Sequence, residues 1–253
     1  MLRYNASKYD FSPVSQCIAQ YYPIREALSE GMLKNHPGYA AIGTLLSRHI
    51  HNHEEYQQTW ESFCQQTSAR LGCAYRGTTY GQAPSYSADF IIAQHPLNGL
   101  TITRQIQLAV SLLGPFYSVV GAVQCESAYP PTRHQFSTHC VIASPAAEYA
   151  VLFQGLMQAV EAAFPSYRLL PYWILNQSIE GLRVYYDDQY DSNRVSDALL
   201  NDRLPRHLSM AMGDVYFGSE AWIRPDWDGT ENVWVALPPG ATPADYPDLS
   251  CLS

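Results

Sequence analysis

Apolar and polar residues alternate most regularly over Thr101 to Leu112. Ile102, Ile106, Leu108, Val110 and Leu112 fall on one side, and Thr101, Thr103, Gln105, Gln107 and Ser111 on the other. That period of two is a strand with one covered face. A helix over 101–113, stopped by Gly114-Pro115, fits the same spacings. The β-branched content and the preceding Asn98-Gly99, a pair suited to a tight hairpin turn, favour the strand. Arg104 lies on the apolar side of this pattern, so its guanidinium needs an acidic partner or an edge, and Asp89 across the hairpin is the candidate.

The strand has neighbours. Ala88 to His95 precedes the turn, and Phe116 to Val123 follows Gly114-Pro115. Phe136, Thr138, Cys140 and Ile142 alternate with Gln135, Ser137, His139 and Val141 in a fourth strand. A meander around residues 88–143 results. Further strand pairs are predicted at Tyr167–Leu175 with Leu182–Tyr186 and at Met210–Phe217 with Ala221–Ile223, with Val233–Leu237 closing an edge.

Helical spacing governs the flanks. Ser15 to Ser29 carries Ile18, Ala19, Tyr22 and Leu28, interrupted by Pro23. Tyr39 to Leu71 keeps one apolar stripe from Ile42 to Leu71, with Pro37-Gly38 before it and Gly72 as a stop. Pro145 to Phe164 is the clearest helix: Ser144 as cap, Pro145 at its first position, Glu148 in its first turn. Val151, Leu152, Leu156, Ala159, Val160 and Phe164 form its predicted buried side. Val195 to Leu204 is a short helix ended by Pro205. From Pro238 four prolines fall within ten residues, which predicts an irregular tail over 238–253. No repeat and no linker is visible. The expectation is a single α+β domain over 1–253, with a mostly antiparallel sheet and helices packed on one side.

Composition narrows the function. The 253 residues are 47% hydrophobic, enough for a core, but only 15% charged. Lys8 and Lys34 are the only lysines and the arginines are scattered. Nucleic-acid binding, which needs clustered cations, is therefore disfavoured. The net charge is −8. Most of the excess falls after Gly213, where Asp214, Glu220, Asp226, Asp228, Glu231, Asp245 and Asp248 face Arg224 alone. Such a segment attracts a basic partner. The start has no apolar leader, and the longest apolar run, Ala109 to Val123, is too broken to span a membrane. The six cysteines show no CxxC spacing and read as reduced thiols of a cytoplasmic protein.

Three clusters bear on chemistry. His49 and His53 would share a helix face, as metal ligands must, but H-E-x-x-H is incomplete at Gln57 and no third ligand is evident. Asp187 to Asn193 alternates oxygen donors, yet Ser192 and Ala198 stand where a calcium loop needs Gly and Glu. Neither site predicts a metal, and no cofactor is implied. The third cluster is Trp222, Arg224, Asp226, Trp227 and Asp228, the composition of a protein-binding hot spot. Asp226 and Asp228 beside Trp222 and Trp227 are also the ingredients of a carboxylate hydrolase. Nucleophile elbows and phosphate-binding glycine loops are missing from the sequence, and Cys140 falls on the apolar side of its strand. The expectation is a non-catalytic cytoplasmic protein that binds another, basic protein, of the immunity or antitoxin kind, through an acidic aromatic face. The alternative is the hydrolase.

Overall fold

The computed structural model describes residues 2–25, 35–128, 134–184, 192–204 and 211–229. In chain order they form α1 (Ser12–Tyr21), α2 (Pro37–His49), α3 (His53–Tyr56), a π-helical turn (Gln57–Glu61) and α4 (Ser62–Leu71). Then come β1 (Ala74–Gly77), β2 (Ser85–Leu97), β3 (Leu100–Ser111), β4 (Phe116–Ala128) and β5 (His134–Ile142). A 3-10 turn (Ala147–Tyr149) leads into α5 (Ala150–Ala163), followed by β6 (Arg168–Leu169), α6 (Tyr172–Leu175) and α7 (Val195–Leu199). β7 (Ala211–Met212) and a second 3-10 turn (Ser219–Trp222) complete the described chain.

The strands build one mostly antiparallel sheet in the order β1-β2-β3-β4-β5-β7, with β6 parallel to the start of β4. The meander is the one the alternation predicts. Its first turn uses Asn98 and Gly99 at φ 32° and 85°, the left-handed conformation that a two-residue hairpin loop demands. At Gly121 a side chain would sit 2.7 Å from Cβ of Ile142 and 2.8 Å from the Tyr149 ring, so the bare backbone lets Tyr149 lie on β4.

One face of the sheet carries Tyr86, Ala88, Phe90, Ile106, Leu108, Val110, Tyr117 and Val119. It packs against Trp60, Phe63 and Cys64 of the π-turn and α4, and against Leu152, Phe153, Leu156, Ala159 and Val160 of α5. The Trp60 ring stacks on Tyr86 and Phe63, each 5.2 Å away. The expected helices on one side are these. The opposite face is apolar at one end, where Ala109, Val120, Val141 and Ala143 join a second core with α1, α2, α6, α7 and Trp222. Each fully buried aliphatic side chain in these cores contributes roughly 1.5–3 kcal/mol by leaving water.

Several expected elements differ. The 39–71 stripe is not one helix: Ile50–Asn52 interrupt it, and Asn52 caps α3 by accepting from the Glu55 N–H. Gly72 does end α4, at φ 64°. The first helix stops at Tyr21, ahead of Pro23. Ser144 does not cap the helix after it; its Oγ accepts from the Asp214 N–H at 2.9 Å. Val151 is 82% exposed, because the helix phase is set by Leu152, Leu156, Ala159 and Val160. Only Arg168–Leu169 of the predicted 167–175 strand is extended. Pro171 then starts α6, whose four residues are all buried. Leu182 makes a single bridge to Ile24. Among the described residues, 211–217 and 221–223 do not pair together. β7 joins β5, and Ile223 bridges Tyr9. Val195–Leu199 is shorter than the predicted 195–204 helix. Val233–Leu237 and the 238–253 tail lie outside the described residues.

Candidate functional site

The turn after Trp222 is held from both sides by the N-terminal segment. The Asp10 N–H donates to the Trp222 carbonyl and the Arg224 N–H to that of Lys8, each at 2.8 Å, on either side of the Tyr9–Ile223 bridge. The Trp227 N–H then closes the turn onto the Arg224 carbonyl at 3.1 Å. The backbone of the turn is thereby fixed to the N-terminal segment.

The five residues singled out from the sequence do not share one environment. Trp222 is 1% exposed and belongs to the core. Its Nε1 donates to the Leu169 carbonyl at 2.8 Å and its ring stacks on Phe11 with centroids 4.8 Å apart. Its expected place on an exposed aromatic face is therefore corrected: a ring flanked by Phe11 and Phe116 anchors the turn from within. Arg224, Asp226 and Asp228 are exposed, and Trp227 is half-buried. Arg224 Nε donates to Asp226 Oδ1 at 3.1 Å, and that hydrogen bond holds the Asp226 carboxyl below its ordinary range. A carboxyl kept ionised at the surface is not the proton-holding acid of a glycosidase-type pair.

The turn gains neighbours that sequence distance concealed. Lys8 Nζ lies 4.6 Å from the Trp227 ring and 5.3 Å from that of Tyr9. Tyr9 is 6.3 Å from Trp173, and Trp173 is 5.3 Å from Tyr216, which is exposed. Trp227, Lys8, Tyr9 and Tyr216 thus gather from both ends of the described chain beside the charged turn, backed by Trp173, which is buried at 8% exposed and donates from Nε1 to Ser219 Oγ at 2.9 Å.

A second arrangement lies on the sheet face away from α4 and α5. Arg76, Asp89 and Gln107 are successive cross-strand partners on β1, β2 and β3. Asp89 is 1% exposed, and its Oδ2 accepts from Arg76 Nη2 and Arg203 Nη2, both at 2.9 Å. Arg76 also reaches Gln105 Oε1 at 3.4 Å. Arg203 comes from the segment after α7, which Ser85 fastens by donating to the Leu200 carbonyl at 2.9 Å. Asp89 Oδ1, the Gln105 Nε2 and both amide atoms of Gln107 have no hydrogen-bond partner among the described residues. Gln105 is 0% exposed and Gln107 7%. Sequence reasoning placed Gln105 and Gln107 on the polar side of a strand. It also offered Asp89 to Arg104. Arg104 instead points to the opposite face and pairs with Glu148 at 3.2 Å.

The other candidates are ordinary contacts. His49 ends α2 and His53 begins α3, so they do not share the helix face expected of them. His49 Nδ1 lies 3.5 Å from Glu55, and His51 Nε2 is 3.0 Å from the Gly81 carbonyl. Among the described residues no group of three or more His, Cys, Asp or Glu is placed to hold a metal ion. Asp187 to Asp191 lie outside the described residues. Cys140 is half-buried, with its thiol raised by desolvation, and the neighbouring His139 ring bonds Ser137 Oγ at 3.1 Å. No helix among the described residues is long and apolar enough to cross a membrane.

Compared with known proteins, the chain matches no protein family, no curated protein and no solved structure.

Proposed function

We propose that this chain is a non-catalytic protein-binding module of the cytoplasm, and that its partner, a basic protein, docks on the 224–228 turn and the aromatic residues beside it. The half-buried Trp227, Lys8 and Tyr9 and the exposed Tyr216, backed by the buried Trp173, carry the reading. Trp, Tyr and Arg dominate binding hot spots because they bring large rigid area and a polar tip at low entropic cost. The turn beneath them is fixed to the core by Trp222. Asp226, Asp228 and the −8 overall charge supply long-range attraction to a positive partner. An immunity- or antitoxin-like masking role fits such a surface. The five cysteines described as free agree with a reducing compartment.

The test uses the intact chain as bait in its native host, followed by affinity measurement on the captured partner. Trp227→Ala is expected to weaken binding by at least ~30-fold, chiefly through faster dissociation, the counterpart of about 2 kcal/mol. Asp226→Ala with Asp228→Ala is expected to slow association and flatten its salt dependence. A Trp227→Ala protein that is less stable yet binds normally sinks the reading.

A further inference from the structure

We infer that Arg76 and Arg203 together form a surface site for a phosphate group, free or carried on a small molecule. Both guanidiniums donate through Nη2 to Asp89 Oδ2 at 2.9 Å, so the two nitrogens lie closer to each other than twice that distance. Asp89 is buried and does not meet the ligand. It stands the two forks side by side, one from the edge strand β1 and one from the segment after α7. Arg76 stays 42% exposed and Arg203 31%, so a ligand meets the outer side of the guanidiniums and not the closed space behind them.

Charge does not balance at this point. One carboxylate faces two guanidiniums, which leaves positive charge in excess on a chain whose net charge is −8. Gln105, which accepts from Arg76 Nη2 at 3.4 Å, is neutral. Asp202, next to Arg203 in sequence, accepts instead from the Tyr80 hydroxyl at 2.8 Å. Nor are the donors spent: among the described residues, Nε and Nη1 of both Arg76 and Arg203 have no partner. Arg194 gives the contrast. It is buried, and its Nε, Nη1 and Nη2 donate to Asp197, Asn176 and the Leu204 carbonyl, as a guanidinium with a purely structural role requires. An oxyanion on the outer side of Arg76 and Arg203 supplies both the missing charge and the missing acceptors, in charge-assisted hydrogen bonds. A planar carboxylate matches one fork edge to edge. The oxygens of a phosphate point in different directions and can bridge two forks that come from separate elements.

The probe is inorganic phosphate, titrated at constant ionic strength while the Nε–H signals of Arg76 and Arg203 are followed by NMR, with acetate and chloride as controls. Saturable shifts at both arginines are expected with phosphate, and an affinity weaker by about tenfold or more with acetate. Methyl phosphate separates the sources: binding as tight as that of inorganic phosphate means a site for a phosphate ester, and weaker binding a site for the free ion. Arg203→Lys keeps a positive charge against Asp89 but loses the fork. It should lose about tenfold in phosphate affinity while the backbone spectrum stays that of the folded protein. If that variant does not fold, Arg76→Lys on the edge strand should show the same loss. Shifts that grow linearly with phosphate, equal shifts with acetate or chloride, or a phosphate affinity unchanged in the folded variant would mean an ordinary solvated ion pair, and would overturn the inference.

Discussion

Arg203 donates to Asp89 Oδ2 across 2.9 Å, and this contact joins the segment after α7 to the middle of the second strand of the sheet, as the Ser85 bond to the Leu200 carbonyl does at the strand's start. Asp89 holds Arg76 of the edge strand through the same oxygen. A single buried carboxylate therefore fastens two elements that are otherwise remote in sequence, and it does so on a sheet face that the polar pattern alone assigns to solvent.

Asp89→Asn should cost about 2–4 kcal/mol, measured as the change in urea midpoint at constant slope. Removing one member of a buried ion pair leaves the other uncompensated. The loss falls toward the lower part of the range because both guanidiniums keep solvent contact. Arg203→Met in the Asp89→Asn background should cost less than it does alone, since the two residues act as a unit.

Trp222→Ala and Trp227→Ala should separate cleanly. The first empties a site between Phe11 and Phe116 and should cost about 3–5 kcal/mol of stability. The second removes a half-exposed ring and should change stability by under ~1 kcal/mol while reducing partner affinity. Thermal melts and binding measured on the same two proteins check both.

The phase of α5 gives a third test. Val151→Lys should leave the melting temperature nearly unchanged, within ~0.5 kcal/mol, because the side chain stands in solvent. Phe153→Ala, two residues on and fully buried, should cost about 3–5 kcal/mol. The opposite order would mean that the helix is rotated.

Alkaline pH should destabilise the fold. Burial pushes the Cys17 thiol from its ordinary 9.0 up to about 12, and the Tyr149 hydroxyl from 10.0 to about 12. Burial raises Tyr22 as well, well above 10.0. The unfolded chain then loses these protons first and binds fewer than the native state, so stability falls with rising pH. It is whole below pH 9 and declines from there toward 12. A melting temperature that is flat between pH 9 and 11 would contradict this. In the same native samples, alkylation followed by peptide mapping should leave Cys17 and Cys64 unmodified, since thiolate character and access govern reactivity.

The sheet was legible because its signals are local. Asn98-Gly99 sets a hairpin, and the alternation on either side sets which face is covered. What the alternation cannot report is that its polar side is covered too. Gln105 and Gln107 read as solvent-facing and are buried; Leu200, Asn201, Arg203 and Leu204 lie beside Gln107, and nothing near that position in sequence announces it. For the same reason Arg104 was matched to Asp89, its neighbour in the hairpin, when the pleat sends the two to opposite faces. Trp222 looked like surface because it adjoins a charged turn; its stacking partner, Phe11, is at the far end of the described chain. Tyr172–Leu175 is β-rich in composition and helical in fact: Pro171 caps it with extended backbone, and complete burial replaces propensity as the deciding term.

The bridge between Tyr9 and Ile223 also sets an order of events during synthesis. Strands β1 to β5, their hairpins and α5 draw on residues up to 163 and can gather as the chain emerges. The N-terminal segment cannot. Its hydrogen-bond partners at Trp222 and Arg224, and the ring that stacks on Phe11, leave the ribosome last among the groups it needs. Until then Leu2, Phe11 and Val14, all buried in the finished fold, lack part of their cover, and the nascent chain carries an apolar surface for which a holding chaperone, or a partner bound during translation, would compete.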